Sequence, residues 1–506
     1  MAAGFEKFEV SGMDVTLEEE EIVHLSEELG WLVIGEQPEL KIIGEVDKIK
    51  AKGEEQVERI FTALVHLKAP KDESSAADSA RAPVDLVTVL DVSGSMRGQK
   101  LELVKTAMEF VIRNLRQQDR LAIVSFSDEP KVHLGLKRMT HEGRAAALNA
   151  VEKLRSLGGT EIRPGLKAGF DLLSRRKNRN PVSSILLLSD GMDNAIMFKR
   201  CKVLPVDSYL ENGSERVPVH TFGFGSDHDP EAMLSIAEAT GGSFCYVQEE
   251  FAVQHAFAQF IGGLLSVVAQ EVEVWMEASG RARIKSVEAT AGTTAMAGDR
   301  AATVKLGSLY AEEERDILVE LLLPGSDSSS SSLELLKVGG SFRDPSSDKT
   351  QQLATSSLVI QELKAGEEEE ATKIEVDRQK NRVSASKAMA AARRLGCRSS
   401  EDLASAKQAL LDVKQKIESS RAFGAGDVLS KGLVSELEEL IQCMMGDYYR
   451  SGGHAVLLAA ENSHVNQRST YQSRAPSAKR ECSLTSYRTS AMVDMLDKSK
   501  KFKSER

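Results

Sequence analysis

Cysteine is scarce in this sequence, and none of it is arranged for metal or redox chemistry. The 506 residues include only 5 cysteines, and none forms the Cys-x-x-Cys pair typical of zinc ribbons, RING modules or thioredoxin-like sites. An odd and widely spaced set predicts reduced thiols rather than a disulfide framework, and therefore a reducing compartment such as the cytoplasm. The cysteines are Cys201, Cys245, Cys397, Cys443 and Cys482.

A long apolar run is also missing. The most apolar stretch, Phe257–Ala269, is interrupted by Gln259 and by Gly262 and Gly263, and it is shorter than the ~20 residues of a membrane-spanning helix. The first ten residues, MAAGFEKFEV, have neither the basic nor the apolar region of a secretory signal. The sequence therefore predicts no transmembrane segment and a cytoplasmic location.

Positive charge is not in excess. Lys and Arg total 65 against 76 Asp and Glu, a net charge of −11, which argues against a nucleic-acid partner. Only Glu461–Arg506 is locally basic, with 10 Lys and Arg against 5 Asp and Glu. Because this segment is poor in apolar residues, we expect residues 456–506 to be a solvated and mostly disordered tail.

Between residues 84 and 268, short apolar runs alternate with longer amphipathic stretches. The short runs are almost continuously apolar, as in strands buried on both faces of a parallel sheet. They are Val84–Leu90, Asp119–Phe126, Ser183–Asp190 and Val217–Gly225. The stretches between them, such as Gln99–Arg116, have apolar residues at helical spacing. This alternation predicts a doubly wound, Rossmann-like α/β domain.

Before and after the α/β domain, the apolar residues recur at different spacings. Apolar residues alternate in Arg59–Leu67 before the α/β domain and in several runs after it, such as Glu271–Glu277, which predicts an antiparallel β-sandwich with the α/β domain inserted. After Gly366 the spacing is helical, and three helices, the first beginning at Glu367, predict an all-α bundle. Ser399 and Asp402 resemble a capping box for the second helix.

The resulting division of the chain has six parts. It comprises an N-terminal acidic segment (1–54), a first sandwich strand and linker (55–83), the α/β domain (84–268), the β-sandwich (269–365), the helical bundle (366–455) and the basic tail (456–506).

Five oxygen-bearing side chains follow the predicted parallel strands. Asp91, Ser93 and Ser95 come directly after the first strand, at a spacing that points them to one side. Thr160 follows two glycines in GGTEI, and Asp190 ends the run LLLSD. In an open α/β sheet, ligands bind in the crevice outside the carboxyl ends of the strands. We therefore expect these residues to meet in that crevice.

This set of side chains offers only hard oxygen atoms and two formal negative charges. It suits Mg²⁺, which is held by one or two carboxylates and keeps several waters, with Mn²⁺ as its natural substitute. Ca²⁺ usually takes six to eight oxygens, and Zn²⁺ prefers Cys and His. A site with so little negative charge leaves a coordination position open. Its natural occupant is an Asp or Glu carboxylate of a partner protein.

The order Asp91-x-Ser93-x-Ser95, then Thr160, then Asp190 in SDG resembles the metal-ion-dependent adhesion site of von Willebrand factor A domains. The resemblance implies that Ser93 and Ser95 coordinate the ion directly and that the carboxylates often act through water. It implies that Thr160 contacts the ion directly or indirectly, depending on conformational state. Asp193 and Asn194, which follow, are interpreted as turn residues, with the rim of the site as the alternative.

The flanks extend the resemblance to roughly residues 55–455. HLKAP (His66–Pro70), the segment Glu314–Pro324 and the helical C-terminal third resemble plant von Willebrand A proteins related to the WAVY GROWTH ubiquitin ligases. The helical region of that group is described as associated with A-domain/Hint proteins. Those ligases carry an N-terminal RING with clustered Cys and His, and this sequence contains no such cluster. Ligase activity is therefore not part of the expectation.

Three functional hypotheses follow. A strand-end Asp beside Mg²⁺ could be a phosphotransferase nucleophile, but Ser93 stands where haloacid-dehalogenase-like enzymes have a second Asp, and the GxSxG motif of hydrolases is absent. The sequence therefore favours a non-enzymatic adaptor that grips a partner carboxylate through Mg²⁺. The alternative is a RING-less, substrate-recruiting paralogue that acts with a partner ubiquitin ligase. Neither the partner nor the oligomeric state follows from the sequence.

Overall fold

The fold is taken from a computed structural model, in which the chain divides into two compact units, residues 1–38 and 39–506. In the first unit, β1 (Lys7–Val10) and β2 (Met13–Thr16) form an antiparallel hairpin. The second unit contains all the other elements given below. The structure describes residues 7–10, 13–16, 37–49, 59–71, 81–192, 217–225, 228–249, 252–288, 294–323, 332–363, 368, 370–395, 399–444, 449–469 and 483–504.

Three strands of the second unit precede the α/β domain: β3 (Glu39–Gly44), β4 (Lys48–Ile49) and β5 (Arg59–Lys68). Strand β3 pairs antiparallel with β5 along its whole length. The boundary predicted at residue 54 is therefore wrong, since β3 belongs to the β-sandwich. Its apolar residues Leu40, Ile42 and Ile43 are too few, among charged neighbours, to distinguish a six-residue strand from an acidic segment.

The α/β domain has a six-stranded sheet whose order is β11-β10-β9-β6-β7-β8. All neighbouring strands are parallel except β7 and β8. The strand order reverses between β6 and β9, which are buried at every position, so the crevice outside their carboxyl ends is the expected ligand position. The strands are β6 (Val84–Asp91), β7 (Arg120–Phe126), β8 (Pro130–Arg138), β9 (Val182–Ser189), β10 (Val219–Phe224) and β11 (Phe244–Val247).

Within the described residues of the α/β domain there are five helices, whose bounds agree in outline with the predicted amphipathic stretches. Strands β8 and β11 have no counterpart in the sequence prediction. Strand β8 is mostly exposed and therefore lacks the continuous apolar run of a buried strand. Strand β11 (FCYV) is buried and apolar, but its four residues are too few to distinguish a strand from a short apolar turn. The helices are α1 (Gln99–Asn114), α2 (His141–Glu152), α3 (Ile162–Ser174), α4 (Pro230–Thr240) and α5 (Val253–Leu264).

The β-sandwich consists of two sheets on either side of a common core. The first has the order β14-β15-β12-β17-β18-β4 and the second the order β13-β16-β5-β3. Residues of both, such as Val274 of β12 and Val319 of β16, belong to one buried apolar cluster. The α/β domain is thus inserted between sandwich strands, as predicted. The later strands are β12 (Val267–Ala278), β13 (Arg283–Glu288), β14 (Thr294–Ala297), β15 (Ala301–Tyr310), β16 (Glu314–Leu323), β17 (Ser332–Asp344) and β18 (Lys349–Glu362).

The C-terminal region is helical, with α6 (Ile374–Leu395), α7 (Ser400–Glu418), α8 (Arg421–Gly424), α9 (Val428–Cys443), α10 (His454–Asn466) and α11 (Ser490–Ser504). The first helix begins at Ile374, and its predicted start at Glu367 lies outside the described residues. The described residues 370–373 just before it are not helical, and the backbone N–H of Lys373 donates to the Glu45 carbonyl at 2.8 Å, which ties the start of the helix to the β-sandwich. The predicted capping box at Ser399 and Asp402 is confirmed by both of its hydrogen bonds.

The helical region shares its core with the α/β domain. Helices α6, α9 and α10 contribute residues such as Met389, Leu437 and Leu457 to the apolar cluster that also contains Val87 of β6 and Ile185 of β9. The predicted C-terminal helical bundle is present, since α6, α7, α9 and α10 pack on one another, and its apolar core continues into that of the α/β domain where α10 packs against β11.

The interpretation of residues 456–506 as a disordered tail is wrong for the described residues 456–469 and 483–504. Helix α11 packs against α5, with Met492, Met495 and Leu496 buried in the apolar cluster that also contains α1 and α5, and the Phe502 ring lies 5.7 Å from the Phe110 ring of α1. Met492, Met495 and Leu496 have the i, i+3, i+4 spacing of a helix face. The overall composition of the segment does not show this spacing, because lysines surround the three residues. The Gln254 amide also donates to the Ser499 carbonyl and hydroxyl, both at 2.9 Å.

A buried ionic cluster joins the end of α10 to the β-sandwich. Arg468 donates from Nε to Glu313 Oε1 at 2.6 Å and from Nη2 to Oε2 at 2.9 Å, and its guanidinium carbon lies 4.0 Å from the centre of the Tyr310 ring. Arg315 Nη2 lies 2.7 Å from Glu313 Oε1. Burial alone would raise the pKa of Glu313, but the positive charges of Arg315 and Arg468 outweigh it and lower that pKa.

Within the described ranges, no helix combines the length and the apolar character needed to cross a membrane. The thiols of Cys245 and Cys443 are buried, and burial raises the pKa of Cys245 to about 12. Such a thiol stays protonated at neutral pH and behaves as a small apolar group. Cys201, Cys397 and Cys482 lie outside the described residues.

Candidate metal-binding site

Asp91 is the last residue of β6, and it is fully buried. Its Oδ1 accepts the Ser93 backbone N–H at 2.8 Å, and its Oδ2 accepts the hydroxyl of Ser189, the last residue of β9, at 2.6 Å. Burial raises the pKa of Asp91 to about 6, against the opposing effect of these hydrogen bonds. Both oxygens are therefore fixed by the protein's own donors, which orient the carboxylate.

A chain of hydroxyl groups leads from this carboxylate to the second one. The oxygens of Ser93 and Ser95 lie 2.9 Å apart, and the Ser95 hydroxyl donates to Asp190 Oδ1 at 2.6 Å. Because the only hydroxyl proton of Ser95 goes to Asp190, Ser93 is the donor to Ser95. Ser93 is buried and Ser95 is exposed, so the chain runs from the interior to the surface.

The loop that carries Thr160 is tied to the loop of Ser93 by three hydrogen bonds. The Gly94 N–H donates to the Gly158 carbonyl at 2.9 Å, the Leu157 N–H to the Val92 carbonyl at 2.8 Å, and the Ser156 hydroxyl to the Ser93 carbonyl at 2.6 Å. Gly158 has φ +78°, and a Cβ there would lie 2.3 Å from Asp128 Oδ2. Only glycine fits this turn.

The side chain of Thr160 lies against the residue that follows Asp190. A Cβ on Gly191 would lie 3.0 Å from Thr160 Oγ1, so this glycine allows the hydroxyl of Thr160 to approach the Asp190 loop. Thr160 is 6% exposed. The structure thus brings together all five residues that the sequence predicts. Asp193 and Asn194, interpreted as turn or rim residues, lie outside the described residues.

Lys100 is a member of the site that the sequence prediction lacks. Its Nζ lies 2.6 Å from Asp190 Oδ2 and 5.6 Å from the centre of the Phe224 ring. The Asp190 side chain is fully buried, whereas that of Lys100 is 22% exposed. The only signal in the sequence is a lysine in the first turn of the helix after the DVSGSM motif, and its partner lies 90 residues further along the chain.

The side chains present fit a hard divalent cation. Three hydroxyl and two carboxylate groups converge at the carboxyl ends of β6 and β9 and at a neighbouring loop, and oxygen donors of this kind suit Mg²⁺ or Mn²⁺. Lys100 already occupies Asp190 Oδ2, so a bound cation would share Asp190 with the ammonium group or displace it.

The family model of the von Willebrand factor type A domain matches residues 85–259, the part of the chain that contains this sheet and site. The chain contains a von Willebrand factor type A domain. Domains of this family are commonly metal-dependent protein-interaction modules. The catalytic alternatives considered for the Asp91 loop therefore have no support from the family, because the domain itself is non-enzymatic.

Among known proteins, the chain is similar to the E3 ubiquitin-protein ligase WAV3 of Arabidopsis thaliana, with 35% identity over 353 residues that cover 68% of this chain and 44% of the relative. It is 29% identical to the E3 ubiquitin-protein ligase WAVH1 of the same plant over 317 residues, 59% of this chain and 41% of the relative. These relatives confirm the predicted resemblance to the WAVY GROWTH group. The chain spans less than half the length of either.

A solved structure supports the fold. The von Willebrand factor type A protein from Catenulispora acidiphila aligns with a TM-score of 0.57 at 16% identity, covering 81% of this chain and 91% of the other. The alignment covers far more than the von Willebrand A domain alone, so the accompanying strands and helices are shared as well. At this identity the likeness concerns the fold only.

Proposed function

We propose that this chain is a non-enzymatic interaction protein whose von Willebrand A domain binds a carboxylate of a partner protein through Mg²⁺, with Mn²⁺ as a substitute. The observation that supports it most is the continuous hydroxyl chain from Ser93 through Ser95 to Asp190, beside the buried carboxylate of Asp91. The ion would be held by Asp91, Ser93, Ser95, Thr160 and Asp190.

Each residue has a distinct part in this proposal. The hydroxyls of Ser93 and Ser95 are direct ligands, because they lie between the two carboxylates. Asp91 acts through water, since both of its oxygens already accept hydrogen bonds. Asp190 supplies the second negative charge at the outer end of the hydroxyl chain. The bound ion would supply a positive centre that attracts an anionic group.

The local charge explains why the loaded site would select a carboxylate. Asp91 and Asp190 contribute two negative charges and Lys100 one positive charge, so a bound divalent ion leaves one positive charge in excess. Ser95 and Gly94 are exposed, and the positive centre is therefore within reach of a partner. A carboxylate both completes the coordination and cancels the remaining charge.

The proposal predicts that partner binding requires the ion. Proteins retained by the immobilised chain in Mg²⁺ should be released by EDTA and retained again when Mg²⁺ is restored. Changing the contacting Asp or Glu of such a partner to its amide should abolish retention. As a control in this chain itself, Asp412→Asn removes one negative charge from an exposed residue of α7 and should leave retention unchanged. A partner that binds this site equally well in EDTA would contradict the proposal.

A second role rests on the same site. The similarity to proteins named E3 ubiquitin-protein ligases favours a substrate-recruiting paralogue that acts with a partner ligase. The purified chain, mixed with ubiquitin, activating and conjugating enzymes and ATP, should form no more ubiquitin chains than a control without ligase. Ubiquitin chains formed by this protein alone would show that it is an enzyme and would overturn the non-enzymatic proposal.

Lys100→Met is expected to strengthen Mg²⁺ binding by about tenfold, because it removes a positive charge that faces the ion across Asp190. Titration calorimetry with Mg²⁺ measures this directly. Lys105→Met is the matched control, since Lys105 lies in the same helix and pairs at 2.8 Å with Glu102 instead. If Lys100→Met weakened binding, Lys100 would be required to orient Asp190 for the ion, and the charge argument would be wrong.

A further inference from the structure

A groove lies along the edge of the α/β sheet, between β8 and α3 with the segment that follows it. Its volume is about 470 Å³. The groove contains Arg120, the first residue of β7, whereas the candidate metal site lies at the carboxyl ends of the strands. The groove therefore runs along the edge strand and shares no residue with the metal site. The apolar lining consists of Val132, Leu136, Ala168 and Leu172, and the basic lining of Arg120, Arg175, Arg176 and Lys177.

Strand β8 is the last strand of its sheet among the described residues. It is nine residues long and mostly exposed, with Val132 48% exposed. In an antiparallel pair, alternate residues direct their N–H and C=O groups away from the partner strand. An open edge of this length therefore offers backbone donors and acceptors to a further strand.

The charges around this edge are mostly positive, although the whole chain carries −11. The one acidic residue of the groove lining, Asp171, pairs with Lys167 at 2.8 Å. Pro130–Arg138 contains Lys131, Lys137 and Arg138 and no acidic residue, and the stretch RRKNR at 175–179 contains four basic residues and no acidic one. Two strands from two copies of this chain would repel each other here. The charge pattern thus disfavours pairing with a second copy and favours an acidic partner.

Only part of this positive charge is neutralised within the protein. Arg120 Nε donates to Asp85 Oδ1 at 2.6 Å, and Arg176 Nη1 lies 3.0 Å from Asp85 Oδ2. By contrast, within the described ranges no ion pair is formed by Lys131, Lys137, Arg175 or Lys177. These exposed cations are available to carboxylates of a ligand.

We propose that this groove binds an extended acidic segment of a partner protein, which adds to β8 as a further strand. Side chains of a strand alternate between its two faces, so a segment with alternating apolar and acidic residues places the apolar ones in the groove and the acidic ones on the opposite face, toward Lys131 and Lys137 of β8. The positive charges of Arg175 and Lys177 beside the groove attract the acidic segment as a whole. The groove lining includes no aromatic residue on which a nucleic-acid base could stack, which favours a peptide over a single-stranded nucleic acid.

The probe for this proposal is a fluorescent, end-blocked ten-residue peptide of alternating Glu and Val, titrated against the full chain at low salt. Binding is followed by fluorescence anisotropy, and the bound region by hydrogen exchange. We expect the peptide to bind and to slow amide exchange within residues 130–138. A fully N-methylated peptide, which keeps every side chain but has no backbone donor, should bind at least tenfold more weakly, and so should the Lys–Val analogue.

The paired substitution Arg175→Glu with Lys177→Glu should weaken binding of the Glu–Val peptide at least tenfold. Its matched control is Lys416→Glu with Lys431→Glu, the same charge change at exposed positions of α7 and α9, which should change affinity less than twofold. EDTA should have no effect, which separates this groove from the metal site.

Several outcomes would overturn the proposal. The fully methylated peptide could bind as tightly as the unmethylated one, or the two paired variants could lose the same affinity for the Glu–Val peptide. The peptide could protect amides away from β8 from exchange, or a single-stranded RNA of equal charge could bind more tightly than the peptide. Self-association of the parent chain that the Arg175 and Lys177 reversals abolish would also overturn it, because the occupant would then be a second copy.

Discussion

Asp190→Asn is expected to lower the affinity of the chain for Mg²⁺ by about a hundredfold or more, because it removes one of the two negative charges of the site. The amide keeps the shape of the side chain and can still accept the Ser95 hydroxyl, so the fold should persist. Lys100, whose side chain is 22% exposed, can turn to solvent. Titration calorimetry with Mg²⁺ and Mn²⁺ measures the change.

Two comparisons make this result specific. Ser93→Ala should weaken binding by about tenfold while leaving the thermal stability nearly unchanged, because it removes a ligand oxygen and little buried volume. The exposed Asp412→Asn should bind Mg²⁺ as the parent does. Undiminished binding in both Asp91→Asn and Asp190→Asn would show that the ion binds elsewhere in the chain.

Arg468→Ala is expected to lower the free energy of unfolding by about 3–5 kcal/mol, the usual cost of removing one partner of a buried ion pair. Arg468 holds Glu313 by two hydrogen bonds, and both side chains are less than a tenth exposed. Its loss also frees the end of α10 from the β-sandwich. Urea denaturation followed by circular dichroism gives the difference.

The control for this effect is an exposed ion pair. Lys387 Nζ lies 2.7 Å from Glu288 Oε1, with side chains 62% and 29% exposed, and Lys387→Ala should cost less than about 1 kcal/mol. Equal effects of the two substitutions would contradict the account of the buried cluster. Because the pKa of Glu313 is lowered in the folded state, the stabilisation is present above its unfolded pKa and is lost as the pH falls through the folded value.

The elements that could be predicted are those whose burial is visible in the local pattern. Strands β6 and β9 are buried at every position and appear as continuous apolar runs. Strand β8 is an exposed edge and lacks that signal. Helix α11 could not be predicted for a different reason. Its apolar residues Met492, Met495 and Leu496 lie among lysines in the sequence, and they are buried only because the helix packs on the α/β domain.

In the site, too, the residues that could be predicted are those identified by a local motif or by the sheet topology, and the others have partners far away in the sequence. Asp91, Ser93 and Ser95 are close in sequence, and the topology of a parallel sheet brings Asp190 to the same edge. Ser189 and Lys100 depend on partners 98 and 90 residues away. That Ser189 and Lys100 belong to the site depends on the register of β6 against β9 and on the direction of α1. No local sequence pattern specifies either of these.

The most direct test of the central claim is anomalous diffraction from crystals of the full chain grown with Mn²⁺. One strong anomalous peak is expected within coordination distance of the hydroxyl oxygens of Ser93 and Ser95, with Asp190 beside it and Asp91 behind a water. This peak should be absent from crystals of Asp190→Asn. A manganese peak at another position, or no peak near Ser93 and Ser95 at saturating Mn²⁺, would contradict the account.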